Sequence, residues 1–187
     1  MTLAGIMKLA MRQLDEEMED IAEYDELFRS YANMGYMIAV RQFLRPRETF
    51  MLTTDEYGCA RMDAQPIRRV VQVKNMHGEE IGFRISADGK RIETDGWDPV
   101  LSVLGEVDRK PLEKDTDEPM LPGYAHAALA DYICYRHLSS GSLSKQSRAE
   151  FFRQSFYQQM HAIAREGEGS VTRMKNLYAA TDARNMY

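Results

Sequence analysis

At 187 residues and 44% hydrophobic, the chain can bury a real core as one domain, or as one domain with an insertion. Its net charge of −5 conceals a split: residues 1–120 hold 16 basic and 24 acidic groups, residues 121–187 hold 8 and 5. These totals exclude a membrane span, which needs an apolar run of ~20 residues, and a duplex-DNA binder, whose affinity comes from a concentrated basic face.

The first predicted element is a helix from about Thr2 to Met18, with Leu3, Ile6, Met7, Ala10, Leu14 and Met18 on one side. Helical spacing followed at once by acid does not read as a secretory signal, and the expected setting is a soluble one. Eight of the twelve residues from Asp15 to Glu26 are acidic and read as a solvated helical face or turn. They lack the oxygen-rich loop and glycine of a calcium site. Asp25 or Asp20 caps a second predicted helix, in which Leu27, Phe28, Tyr31, Met34, Ile38 and Val40 keep a helical period. Asn33-Met34-Gly35 interrupts or bends it, and it must stop before Pro46.

The period then changes. Thr49 to Thr54 alternates as a strand, with a turn at Asp55 to Gly58. Ile67 to Lys74 carries β-branched residues at alternating positions, and Asn75 to Gly78 closes a hairpin onto Glu80 to Ser86. There Ile81, Phe83 and Ile85 point one way. The Asp-Gly pair in Ala87 to Lys90 suits a type I′ turn, with Arg91 to Thr94 pairing back. The expected product is a small antiparallel meander, about 49–94, set between helices. Asp95 to Pro122 is turn-rich, with Trp97, an apolar run from Val100 to Val107 and the polar loop RKPLEKDTDEPMLPG.

Two amphipathic helices follow, joined by Ser139-Ser140-Gly141-Ser142. Tyr124, Ala125, Ala128, Tyr132 and Tyr135 mark the first, widened by Leu129 and Ile133. Phe152, Phe156, Met160 and Ile163 mark the second, backed by Phe151, Tyr157 and Ala164. Ser144 or Ser147 caps the second helix, with Glu150 completing a capping-box pattern after Ser147. So short a joint predicts a long αα-hairpin with a core of Leu129, Tyr132, Tyr135, Phe152 and Phe156. Gly167-Glu168-Gly169-Ser170 then reads as a joint leading to a flexible C-terminal arm, 167–187. The fold class is therefore α+β, a helical bundle with a β insertion in one domain, 1–166.

No catalytic, metal or cofactor signature emerges. Phosphate-loop, nucleophile-elbow and dinucleotide motifs are missing, and His77, His126, His137 and His161 have no ligand spacing. Cys59 and Cys134 form no CxxC or Cys/His pattern, which points to buried thiols in a reducing compartment. The expected class is non-enzymatic: either part of a larger assembly, or a small binding or regulatory protein acting as monomer or dimer.

The succession of motifs adds to this. Glu26-Leu27, Tyr31, Asn33 and Gly35 precede the β region; the acidic, proline-bearing loop Asp115 to Pro119 follows it. Then come Leu121-Pro122, Tyr124, Ala128-Leu129, Tyr132 and Tyr135-Arg136, and finally Arg148-Ala149, Phe152 and Phe156. This order, across most of 3–166, resembles the head–tail adaptor (connector) proteins of tailed bacteriophages. The resemblance implies a ring, usually a dodecamer, mounted under the portal protein and receiving the tail or nozzle protein. Genomic DNA would pass through without specific binding, and the chain would reside in the virion neck after assembly in the host cytoplasm. No membrane and no cofactor are implied. On the arm, Arg173, Met174, Lys175, Leu177, Tyr178, Arg184 and Tyr187 are the expected contacts to portal or neighbouring subunit. An acidic first part beside a mildly basic last part suits head-to-tail packing of identical subunits.

Overall fold

The computed structural model describes the backbone of residues 1–14, 21–139 and 141–182, and the side chains of 1–14, 24–139 and 141–165. The chain is α+β, with four helices and two small antiparallel sheets, and it divides into two units. One unit comprises 1–44 with 110–187, the other 45–109. Among the described residues, no helix is long and apolar enough to cross a membrane.

The first unit is helical. Helix α1 (Leu3–Leu14) buries Leu3, Ile6, Met7, Ala10, Met11 and Leu14, the stripe its spacing required. Residues 15–20, where that helix was expected to continue, lie outside the described ones. Helix α2 (Ile21–Ile38) buries Phe28, Ala32 and Tyr36, then passes into a π-helical turn, Ala39–Leu44, that buries Ala39 and Val40. The face differs from the expected one, because Leu27 and Met34 are exposed. Nor does Gly35 interrupt the helix. The turn ends at Arg45, whose φ of 43° is the left-handed exit that Pro46 imposes by closing the α region to its predecessor.

Helix α3 (His126–Leu138) follows a 3-10 turn at Gly123–Ala125. Tyr124, expected on the apolar stripe, is exposed there, and burial begins at Ala125. Helix α4 (Leu143–Asp182) starts directly after Ser142, so neither Ser144 nor Ser147 caps it. The Ser147 hydroxyl instead donates to the Leu143 carbonyl one turn back, and Glu150 pairs with Arg153 at 2.7 Å. The helices meet through Tyr132 and Phe156, ring centroids 4.9 Å apart, above buried Leu129 and Phe152. Tyr135 is only half-buried, its ring edge-on to Tyr132. Phe151 is exposed.

The loop between Lys110 and Leu121 is a strap rather than a solvated excursion. Leu112 and Leu121 are buried in the helical core. The backbone amides of Leu3 and Ala4 donate to the carbonyls of Asp117 and Asp115, which satisfies donors that α1 leaves unpaired at its first turn. Asp117 folds the strap by accepting N–H bonds from Glu113 and Lys114, both 2.9 Å, and these hold its carboxyl below the usual range.

The second unit holds both sheets. Strands β1 (Arg47–Thr53), β6 (Val100–Val107) and β3 (Ile67–Lys74) pair antiparallel in the order β1-β6-β3. Strands β2 (Cys59–Arg61), β5 (Arg91–Thr94) and β4 (Phe83–Ile85) pair in the order β2-β5-β4. The expected meander is thus replaced by two sheets. Its missing centre is β6, which lies beyond the 49–94 stretch and is largely buried. The expected β3–β4 hairpin reduces to one bridge, Lys74 to Glu80, and Ile85 is exposed. The β4–β5 hairpin forms as expected, with Gly89 at φ 69°. The core is Leu52, Ala60, Met62, Val73, Ile92, Leu101 and Val103. Glu106, also buried, accepts Arg68 at 2.7 Å, so its charge is paired.

Phe156 has no exposed surface and rings of Tyr132 and Tyr157 on either side. Phe156→Ala should lower unfolding free energy by about 3–5 kcal/mol in a denaturant titration. A loss below ~1 kcal/mol would mean that this face is not core.

Candidate functional site

The residues of the motif succession converge in the helical unit. Gly35 on α2 faces Tyr132 on α3 so closely that a Cβ there would lie 2.9 Å from the tyrosine ring. Tyr132 in turn packs on Phe156 of α4, which makes a three-helix contact with the ring as its centre. Burial of that ring raises the phenol's pKa. One turn away, the Arg136 guanidinium lies 5.7 Å above the Tyr31 ring.

Asn33 and Arg29, on α2, hold the strap. The Asn33 amide donates to the Leu112 carbonyl at 2.9 Å, and its oxygen accepts the Leu112 N–H at 2.7 Å. The Arg29 guanidinium donates to the Glu113 carbonyl at 2.7 Å and to Asp115 at 2.6 Å. Asp115 and Asp25 raise its pKa further. The Tyr36 hydroxyl accepts the Met120 N–H at 3.2 Å. Sequence reasoning left Arg29 and Tyr36 out; their spacing of three and four residues from Asn33 and Ala32 was the available signal.

A second polar node ties α1, α3 and α4. Buried Asp131 accepts bonds from Gln13 at 3.0 Å, Ser155 at 2.7 Å and Gln159 at 2.9 Å. Cys134 stands one turn on, donating to the Ala10 carbonyl. Burial, with Asp131 adding its charge, pushes this thiol up to about 12. Cys59, expected to be buried as well, is half-exposed on β2.

The histidines occupy separate places. Nε2 of His126 lies 3.0 Å from the Leu121 carbonyl and Nδ1 lies 2.7 Å from the Met1 amine. His137 stands edge-on to Tyr24 and Phe28, and His161 edge-on to Phe43. His77 sits in the turn after β3. Among the described residues, no three His, Cys, Asp or Glu side chains are grouped to hold a metal ion.

In the β unit, three turns meet at one end. The Asp98 carboxylate accepts the N–H of Met76 and of Val100, both at 3.2 Å, while its carbonyl accepts the Thr54 hydroxyl. Thr94 donates to the carbonyls of Gly58 and Gly96. Tyr57, Met76 and Trp97 project from these turns, and Trp97, the chain's single tryptophan, is 66% exposed. Exposed aromatics on a braced frame are suited to contact with another protein.

Among the residues expected to form the hairpin core, Leu129, Tyr132, Phe152 and Phe156 are buried. Arg173, Met174, Lys175, Leu177, Tyr178, Arg184 and Tyr187, the expected partner contacts, lie outside the described side chains. The sequence matches no protein-family model, and a comparison with curated proteins gives no significant match.

Two measurements probe this geometry. Ala is favoured over Gly by about 1 kcal/mol within a helix, whereas overpacking costs about 1–3 kcal/mol. Gly35→Ala should therefore destabilise on balance, through the Tyr132 ring, and a rise in melting temperature would contradict that contact. For the thiols, iodoacetamide at pH 8 should label Cys59 in the native chain and Cys134 only after unfolding. The unfolded thiol ionises near pH ~8.5 while the folded one stays protonated to about 12. Stability should accordingly fall as pH rises through that window, because the native state binds the extra proton. Equal native labelling of both cysteines would refute the buried placement.

Proposed function

We propose that this chain is a head–tail adaptor of a tailed bacteriophage, a structural and non-catalytic component of the virion neck. The observation that carries the proposal is the meeting of the motif residues. Asn33 and Gly35, the Asp115 strap, Tyr132 and Phe156 are far apart in sequence, yet they make one contact system in the helical unit. Residues retained for isolated helical reasons would have no need to converge.

In this reading α3 and α4 form the long C-terminal hairpin of the ring body, and copies assemble into a ring, taken as a dodecamer. The arm, 167–187, reaches the portal protein or a neighbour through Arg173, Met174, Lys175, Leu177, Tyr178, Arg184 and Tyr187. The opposite face of the ring receives the tail or nozzle protein. The chain's net charge of −5 suits a conduit that lets genomic DNA through without holding it. Assembly takes place in the host cytoplasm.

The test is reconstitution. Purified chain added to portal-bearing heads that lack necks should appear by electron microscopy as a closed ring at the portal vertex. A chain ending at Gly169 should melt close to wild type yet fail to attach. A protein that remains monomeric or dimeric and never binds heads would overturn the proposal in favour of a small binding or regulatory protein.

A further inference from the structure

Strands β2 and β5 place two arginines directly opposite each other, Arg61 against Arg91. Like charges at paired cross-strand positions repel and weaken the ladder. Both side chains are exposed, and neither guanidinium makes a hydrogen bond or ion pair with an acid. The acids nearby are otherwise engaged or stand off. Asp55 accepts the N–H of Tyr57 and of Cys59. Asp88 feels the Arg91 charge, but its carboxylate is taken by the Ser86 hydroxyl and the Lys90 N–H. Glu93, one residue pair along, faces Cys59 and Arg84 and makes no ion pair with either arginine.

The two arginines also line a cleft of about 640 Å³ between β1 and β2, together with Thr53, Gln65, Asp55 and Cys59. That volume is in the range of small-ligand sites. A guanidinium presents its donors as a planar fork that matches the oxygens of a phosphate, and two forks supply two positive charges. The adjacent Thr53 hydroxyl and Gln65 amide are further donors of the kind such oxygens accept.

We propose that the Arg61–Arg91 pair is a binding site for a dianionic phosphate group, either inorganic phosphate or the terminal phosphate of a small monoester. Two cations match a dianion, whereas each phosphodiester of a nucleic-acid backbone carries a single charge. The ligand cancels the repulsion that the empty ladder carries, so binding and stabilisation of the β2–β5 pair are one event. This site is independent of the adaptor reading, and either can fail without the other.

The experiment is a thermal-melt series on the full chain at constant ionic strength, with inorganic phosphate, ribose 5-phosphate or a short duplex DNA as probes. Saturating phosphate should raise the melting temperature by roughly 2–5 °C over the same strength of chloride. Arg91→Gln and Arg61→Gln should each melt above wild type without phosphate and lose the response to it. Because both residues are exposed, neither change removes core packing. A larger shift with ribose 5-phosphate than with phosphate would support the monoester as ligand, and the reverse would support free phosphate. No shift up to ~20 mM phosphate, a response to DNA alone, or a response that survives both substitutions would overturn the proposal.

Discussion

The close approach of Tyr132 to the backbone of α2 at Gly35 governs how the helical unit is built. Only a residue without a Cβ lets the two helices come near enough for the ring to lie flat between them and still reach Phe156. With any larger residue at 35, α3 would be displaced, and the Asp131 node would lose its reach to Gln13 on α1 and to Ser155 on α4. The strap would suffer as well. It is held from α2 through Asn33 and Arg29, while its other end feeds directly into the 3-10 turn before α3. One small residue thus sets a distance on which both hydrogen-bond systems depend.

The core elements were legible where their faces were chemically unambiguous. The stripe of α1 and the pair Phe152 and Phe156 could be placed by period alone, because polar residues flank them. α2 was misread by face because its apolar residues surround the cylinder, and counting could not show that Leu27 and Met34 lie outside. Strand β6 escaped for a different reason. Its sequence VLSVLGEV belongs to a central strand covered on both sides, so it lacks the alternation that announces an edge or half-buried strand. Turn chemistry located the bends correctly but could not name the partners. β1 pairs with β6 across some fifty residues of chain, and no local signal carries that information.

The strap shows how composition misleads. Its acids and prolines resemble a solvated loop, yet it binds through main-chain carbonyls and one folded carboxylate, which any composition could supply. The exposed turn end of the β unit was illegible in a comparable way. A tryptophan between aspartates is an ordinary turn sequence until Asp98 is seen to brace two neighbouring turns from one carboxylate.

The β unit also has a topological property of its own. It is inserted between α2 and the strap, and its first and last strands are paired neighbours: Arg47 stands opposite Glu106, Pro46 accepts the Val107 N–H, and Glu48 pairs with Arg109 at 2.7 Å. Entry and exit are therefore side by side, about 5 Å apart as strand partners are. A module with adjacent ends can be gained, lost or exchanged in a single genetic event, because the host helices need only bridge a gap of one or two residues. Such a chain can diversify its surface by cassette replacement while the helical frame stays as it was.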